Sequence, residues 1–210
     1  MPTKKSKTPQ TGRKSAYVAR NRQAILKAAL SVLARKGPEA TMDDVSEEAQ
    51  VAMSTVYKHF KDKRDLIAST TAYAFSDWES WVQQQISEVS DPLEQLVMPM
   101  RIFLRANETH PEYAQLVAKN FGVVGQILPG LSGVIKNQVI ALNKAKILNV
   151  ENPAIAIQNL LSVIIIQLVN QTLNPKATTA EADATIRIAL SMLGISEAKA
   201  KKLTESKITI

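Results

Sequence analysis

The segment from Thr41 to Phe60, TMDDVSEEAQVAMSTVYKHF, constrains the fold more than any other part of the chain. Thr41 is a favourable N-cap for a helix, because its side chain can accept a hydrogen bond from a free backbone N–H group. Asp43 and Asp44 would then lie in the first turn, where negative charge is favoured by the helix dipole. The sequence therefore predicts a short helix over residues 42–49.

A second short helix is predicted directly afterwards, over residues 53–59. Val56 and Phe60 continue an apolar face that would pack inward. Polar residues occupy the opposite face at spacings i, i+3 and i+4, namely Ser54, Tyr57 and Lys58. Two short helices joined by a tight turn, the second with one apolar and one polar face, form the arrangement that places a helix in the major groove of DNA.

The positive charge of the chain is concentrated in the same part of the sequence. The 210 residues include 26 Lys and Arg against 19 Asp and Glu, a net charge of +7. Residues 1–67 hold 14 of the basic and 7 of the acidic residues, which leaves 12 of each sign in the remainder. A local positive field of this kind is typical of DNA-binding modules, because neutralised phosphates supply sequence-independent affinity. A solubilising surface would explain the charge equally well.

Residues 1–15 form a basic arm with two prolines, no acidic residue and almost no apolar side chain. This composition predicts disorder. Basic arms that precede a helix-turn-helix can reach into the minor groove or lie along the DNA backbone. A merely solvated tail fits the sequence as well, and contact of the arm with DNA is left open.

Amphipathic patterns and a count of only seven glycines predict an all-α chain of about nine helices. Capping residues and prolines at first helical positions set the boundaries. The predicted helices span residues 17–36, 42–49, 53–59, 62–87, 92–108, 111–121, 127–147, 153–173 and 179–193. Two domains follow, a helix-turn-helix domain over residues 16–62 and a helical domain over residues 63–196, with a C-terminal tail over residues 197–210.

Several classes of site are excluded by composition and spacing. The chain has no cysteine, which excludes disulfides, thiolate metal sites and cysteine nucleophiles. The sequence has no metal-ligand spacing, nucleophile constellation or phosphate loop, so we predict no catalytic residue, metal or cofactor. An enzyme built on a helical bundle is the alternative that these absences oppose. The basic start lacks an apolar signal region, and a cytoplasmic protein is expected.

The order of these segments resembles the TetR family of bacterial transcriptional regulators. The resemblance rests on RQAILKAALSVLARKG, ATMDDVSEEAQVAMSTVYKHF and KDKRDLI, which together cover roughly residues 20–67. It implies an N-terminal helix-turn-helix DNA-binding domain, followed by a helical domain for ligand binding and dimerisation that shares little sequence within the family.

The resemblance implies that seven residues contact double-stranded DNA. Thr41 and Lys63, at the starts of the second and fourth helices, would contact phosphates. Tyr57 and His59 occupy positions that clamp the backbone. Base edges in the major groove would be read by Ser54, Thr55 and Lys58. Plainer interpretations stay open: His59 as a surface or hydrogen-bonded buried histidine, Tyr57 as a packing residue and Lys58 as a solvated cation.

Three positions depart from the family pattern. Glycine usually stands in the turn where this chain has Gln50, so Gln50 must take a left-handed conformation or the turn must differ. The usual serine cap of the recognition helix is replaced by Ala52, and the next position is Met53 rather than a basic residue. These departures affect which bases are read more than they affect the fold.

Residues 153–173 are apolar enough to suggest a membrane span. The run is interrupted by Gln158, Asn159, Gln167 and further amides, which favours a buried interface helix and no membrane partner. The resemblance implies that this helix and the helix over residues 179–193 form a four-helix bundle with a second copy. Such a two-fold homodimer would place two recognition helices one or more DNA turns apart.

Large apolar side chains between the helix-turn-helix and residues 153–173 are candidate walls of an effector pocket, although each could equally be a residue of the hydrophobic core. The candidates are Trp78, Trp81, Met98, Phe103 and Phe121. Few charged residues lie in this region, which favours a largely apolar effector. The leading hypothesis is a homodimeric one-component repressor that a small molecule releases from a palindromic operator. The alternative is a ligand-independent DNA-binding regulator or architectural protein with a packed C-terminal core.

Overall fold

The computed structural model describes residues 10–131, 133–206 and 208, and these parts of the chain are helical without any strand. This confirms the predicted all-α class. A 3-10 turn at Gly37–Glu39 joins the first two of twelve helices. The helices are α1 (Gln10–Lys36), α2 (Met42–Glu48), α3 (Met53–His59), α4 (Lys63–Gln85), α5 (Pro92–Phe103), α6 (Ala106–Thr109), α7 (Pro111–Lys119), α8 (Phe121–Leu131), α9 (Gly133–Lys144), α10 (Pro153–Leu173), α11 (Thr179–Ser191) and α12 (Glu197–Glu205).

The N-terminal boundary differs from the prediction. Helix α1 begins at Gln10 rather than at residue 17, so residues 10–15 of the predicted arm are helical. Residues 1–9, the rest of that arm, lie outside the described residues. The side chains of residues 15–20 are exposed, whereas Ile25 and Leu26 are buried. The first turns therefore extend beyond the part of α1 that packs on the core.

Three predicted boundaries in the C-terminal part are wrong. The helix predicted over residues 92–108 is interrupted after Phe103, and the Arg105 guanidinium donates back to the carbonyl of Arg101 near this break (3.0 Å). The helix predicted over residues 127–147 is replaced by α8 and α9, which together begin at Phe121. At Gly125, within α8, the Phe121 ring lies over the space that a Cβ atom would take. The predicted tail contains α12.

The helix-turn-helix forms where it was predicted. Thr41 caps α2 in a capping box, in which the backbone N–H of Asp44 donates to Thr41 Oγ1 (3.1 Å) and the backbone N–H of Thr41 donates to Asp44 Oδ2 (2.9 Å). Lys36 Nζ donates to Asp44 Oδ1 (2.6 Å). The Lys36 ammonium, together with these Thr41 bonds, lowers the pKa of Asp44 to about 2.

The turn between α2 and α3 contains a residue other than glycine in the left-handed backbone conformation. Gln50 takes the left-handed conformation with φ of 53°, which is one of the two outcomes that the missing glycine allowed. Ala52 precedes α3 without any side-chain hydrogen bond to the helix start. The orientation of α3 therefore depends on its packing, through Val56 and Phe60, which are both fully buried.

Helix packing and hydrogen bonds, in addition to the covalent chain, join the C-terminal domain to the first domain. Helix α1 packs against both α4 and α7. The buried side chain of Asn120 donates to the carbonyls of Leu33 (3.2 Å) and Leu116 (3.0 Å), and Lys119 Nζ donates to the carbonyl of Arg35 (3.0 Å). The end of α1 is thus held by groups from the end of α7.

A buried charge cluster attaches α11 and α12 to α5. The Arg101 side chain is only 4% exposed; it donates to Asp183 Oδ1 (3.2 Å) and to the carbonyl and hydroxyl oxygens of Ser206 (2.9 and 3.0 Å). Arg105 makes a second ion pair with Asp183 (2.7 Å). Because two guanidinium groups share one carboxylate, the carbonyl oxygens at the end of α12 supply the remaining acceptors.

Replacing the shared carboxylate should be strongly destabilising. We expect Asp183→Asn to lower the free energy of unfolding by about 3–5 kcal/mol, because Arg101 and Arg105 would stay buried without a counter-charge. Urea denaturation followed by circular dichroism at fixed protein concentration measures this change. Glu205→Gln, which removes an exposed ion pair with Lys201 (3.7 Å), should cost less than about 1 kcal/mol. Equal losses in the two variants would contradict the assignment.

Candidate DNA-binding interface and effector cavities

Helix α3 presents a continuous polar face to solvent. Ser54 and Lys58 are exposed, Tyr57 is 54% exposed, and Thr55 and His59 are partly exposed. Val56 on the opposite side is fully buried. All five of the candidate DNA-contacting residues on α3 therefore lie outside the core, on a short helix whose apolar side fixes it to the domain.

The two residues expected at phosphates are placed differently from each other. Thr41 is exposed at the start of α2, and its hydroxyl already accepts the bond from Asp44. Lys63, in the first turn of α4, donates from Nζ to the carbonyl of Pro38 in the 3-10 turn. An ammonium group carries three N–H donors, so two donors of Lys63 remain for a phosphate.

An open cleft of about 440 Å³ lies between the two domains, next to Lys63. Three cationic side chains line it, and each donates to an uncharged oxygen: Lys63 to Pro38, Arg64 to Gln126 Oε1 (2.7 Å) and Lys119 to Arg35. Among the described residues none of the three has a carboxylate within 4.0 Å. The cleft between the domains therefore carries positive charge that no ion pair among the described residues neutralises.

Two small cavities lie inside the C-terminal domain and share three aromatic walls, Phe75, Trp78 and Phe103. Their volumes are about 20 and 30 Å³, which is room for about one water molecule in each. The ring centroids of Phe75 and Trp78 are 5.5 Å apart, and Trp78 meets Phe103 edge to face at 5.3 Å. These rings fill the space between α4 and α5.

Two of the five candidate pocket residues, Trp78 and Phe103, line these cavities. Trp81 and Met98 pack against the same apolar cluster without lining either cavity, and Phe121 is 37% exposed on α8. Phe75 was missed by the sequence reasoning. Its signal was present, because Phe75 lies three residues before Trp78 and shares its face of a helix.

A group of aromatic and titratable side chains lies beside the first cavity. The ring of His110 lies 4.6 Å from that of Trp81 and 5.1 Å from that of Tyr113, and Tyr113 Oη donates to Asp77 Oδ2. Burial, reinforced by the Asp77 carboxylate, raises the pKa of Tyr113 far above its ordinary value. Burial lowers the pKa of His110, and the nearby Asp77 charge opposes this without cancelling it.

Comparisons with known proteins agree with this architecture. Residues 25–70 match the family model "Bacterial regulatory proteins, tetR family". No curated protein matches the chain in sequence. Among solved structures, RolR in complex with resorcinol is similar in fold, with a TM-score of 0.74, 16% identity, and coverage of 93% of this chain and 98% of RolR.

Two further structures have the same fold. FadR from Bacillus subtilis, in complex with stearoyl-CoA, gives a TM-score of 0.65 at 16% identity and covers 83% of this chain and 99% of its own. NalD from Pseudomonas aeruginosa, a repressor of a multidrug efflux pump, has a TM-score of 0.61 at 19% identity. The match covers 84% of this chain and 96% of the NalD chain.

An exposed polar helix on a three-helix domain, followed by a helical domain with internal cavities, is the arrangement found in helix-turn-helix transcription regulators. The match over residues 25–70 relates this part of the chain to the tetR family of bacterial regulatory proteins.

The depressed pKa of His110 predicts a pH dependence of stability. The unfolded chain takes up a proton on this histidine near pH 6.5, at a higher pH than the folded protein does. Stability associated with His110 is therefore complete above pH 6.5 and is lost as the pH falls through the folded-state pKa. We expect thermal melts between pH 7.5 and 5 to show a smaller loss for His110→Gln than for the wild type.

The other histidine provides a matched control for this measurement. His59→Gln leaves the contact between Trp81 and His110 intact and should keep the wild-type pH dependence. If both variants lose stability with the same slope as the wild type, protonation of His110 does not contribute.

Proposed function

We propose that the protein is a one-component transcriptional repressor in the cytoplasm. As a homodimer it would bind a palindromic operator and be released by a small, largely apolar effector. The observation that carries this proposal is the exposed polar face of α3 on a basic N-terminal domain, coupled through α1 and α4 to a domain with aromatic cavities. RolR with resorcinol, FadR with stearoyl-CoA and the repressor NalD have this fold, which supports ligand binding and repression here.

The proposed DNA contacts divide into two kinds. Ser54, Thr55 and Lys58 would face base edges in the major groove. Four residues would hold the sugar-phosphate backbone on either side and set the register of α3 on the duplex: Thr41, Tyr57, His59 and Lys63. Their exposure, complete or partial, in the described structure supports this assignment.

The proposed dimer interface lies on the outer face of α10 and α11. Exposed residues form a stripe along α10 at spacings of three or four: Ile155, Asn159, Ser162, Ile166, Asn170 and Leu173. The 21 residues of α10 include no Asp, Glu, Lys or Arg, and Ile188 on the adjacent α11 is 61% exposed. Depletion of charge beside exposed apolar side chains is typical of interface cores. A second copy of this chain fits such a face.

The same helix is the one described segment long and apolar enough to cross a membrane, with a mean hydropathy of 1.6. Its buried residues pack against α7, α8, α9 and α11. A core helix of a folded domain explains this apolar composition, and the remaining apolar face of α10 would contact the partner subunit.

Helix α4 is the proposed connection between effector and operator. It carries Lys63 and Arg64 at the interdomain cleft and Phe75 and Trp78 at the cavities, about 20 Å further along its axis. The cavities are nearly filled, so an effector must displace aromatic side chains packed on α4. Such an effector would favour a conformation with different spacing of the recognition helices, and this differential affinity would lower the affinity for DNA.

The small size of the cavities also favours a second candidate function, a DNA-binding regulator without an effector. Its C-terminal domain would be a packed dimerisation core. A compound that weakens operator binding and protects the C-terminal domain from thermal unfolding would decide for the repressor with an effector.

The DNA-binding proposal is tested first by sequencing the genomic fragments that the purified protein selects. Tyr57→Ala and Lys58→Ala should each weaken binding to the selected operator about tenfold or more, because each removes a contact in or beside the groove. Lys63→Ala should weaken binding to all sequences and reduce the salt slope by about one. Fluorescence anisotropy over a salt series measures both effects.

Lys136→Ala is the matched control for these variants, because it removes an exposed lysine from α9, outside the proposed interface with DNA. Its operator affinity should equal that of the wild type. Wild-type affinity in the variants of Tyr57, Lys58 and Lys63 would contradict the site assignment.

The dimer proposal predicts that Ile166→Glu and Ile188→Glu each shift the protein from dimer to monomer, because a carboxylate would be buried in an apolar interface. Analytical ultracentrifugation at micromolar concentration measures the shift. Ile140→Glu is the control, since Ile140 is 45% exposed on α9 and lies outside the proposed face. A monomeric Ile140→Glu beside dimeric variants of Ile166 and Ile188 would move the interface to α9.

A further inference from the structure

Trp78 carries a buried hydrogen-bond donor that has no acceptor. The side chain is 7% exposed, and its Nε1 atom is inaccessible and without a partner among the described residues. Indole N–H groups usually find an acceptor when they are buried, because an unpaired donor in an apolar interior is unfavourable. The unpaired N–H of Trp78 therefore needs an explanation.

The surroundings of Trp78 indicate where an acceptor would come from. Trp78 lines both aromatic cavities and also a third cavity of about 30 Å³ toward α9. The two hydroxyl groups on the walls of the first cavity already have acceptors: Thr71 Oγ1 donates to the carbonyl of Ile67 (2.8 Å), and Tyr113 Oη donates to Asp77. In the described walls of the first two cavities, the indole N–H is the side-chain donor that remains available.

The same walls exclude a charged ligand. Within the described residues, neither of the two aromatic cavities is lined by Asp, Glu, Lys, Arg or His. An ionised group placed there would lose its hydration without gaining a counter-charge. Each cavity has room for about one water molecule, so a single ring can enter only if an aromatic side chain such as Phe103 moves aside.

We propose that Trp78 is the polar anchor of the effector site, and that its Nε1–H donates to a neutral, single-ring aromatic effector with a carbonyl or ether-type oxygen acceptor. This inference rests on the proposed function, because it assumes that the aromatic cavities take an effector. It adds the group that fixes the orientation of the effector and the chemical class that this group selects. Phe75 and Phe103 supply the apolar walls.

Two nearly isosteric probes separate the hydrogen bond from the apolar contacts. Acetophenone has a carbonyl where α-methylstyrene has a C=CH₂ group, and both are neutral single rings. We expect the ratio of their dissociation constants, measured by calorimetry on the full chain, to favour acetophenone about three- to tenfold more in the wild type than in Trp78→Phe.

Trp81→Phe is the matched control, because Trp81 packs beside the cavities without lining them. It should keep the wild-type ratio, and it leaves Trp78 as the single tryptophan of the chain. The emission of Trp78 should then change more with acetophenone than with α-methylstyrene. In the wild type, the carbonyl stretch of bound acetophenone should lie at lower frequency than in hydrocarbon solvent, a measurement that does not depend on the folding of Trp78→Phe.

The outcomes distinguish a failure of Trp78 as the anchor from a failure of the cavities as a ligand site. If both probes bind but their ratio is the same in wild type and Trp78→Phe, and the carbonyl stretch is unshifted, the cavities take ligands and Trp78 is not the anchor. If neither probe binds at millimolar concentration, the aromatic effector site fails and the anchor fails with it. DNA binding by α3 is unaffected by either result.

Discussion

Helix α1 is the element on which the rest of the structure depends, because both domains pack on it. Its apolar face, with Ile25, Val32 and Leu33 fully buried, forms the centre of the N-terminal domain. Acceptor groups at its C-terminal end take hydrogen bonds from the other domain, through Asn120 and Lys119. A helix end leaves carbonyls without intrahelical partners, and here donors from α7 satisfy them. The two domains therefore share one set of backbone groups, and a change in their relative position must alter these bonds.

The elements that were correctly predicted depend on local chemistry. The N-cap of Thr41 follows from residues within three positions of it, and the left-handed Gln50 is one of the two outcomes that the local sequence allowed. The wrong boundaries depend on distant residues. Helix α12 has a weak sequence signal because it is short and mostly charged, and its attachment depends on Arg101, which lies about one hundred positions earlier. No pattern within a window of fifteen residues contains that information.

The candidate site divides in the same way. The polar face of α3 could be read from its spacing, because the opposite face is apolar and the helix is short. The sequence could not show which residues line the aromatic cavities. Trp78 and Trp81 are three residues apart on α4 and differ only in which elements pack against them. The placement of Lys63 on the Pro38 carbonyl is also a tertiary feature, created by the approach of α4 to the 3-10 turn. Sequence therefore identified residue types for the pocket and left their arrangement to packing.

The hydrogen bonds from Arg101 to Ser206 affect the order in which the chain folds during synthesis. The two residues are separated by 105 positions, so the guanidinium obtains these acceptors only after nearly the whole chain described here has been synthesised. The packing of α1 on α2 and α4 joins residues close in sequence and can form while translation continues, whereas its packing on α7 forms later. Closing so long a loop is slow relative to forming local helices. A nascent chain would therefore form its helix-turn-helix before Arg101 obtains its acceptors at the end of α12.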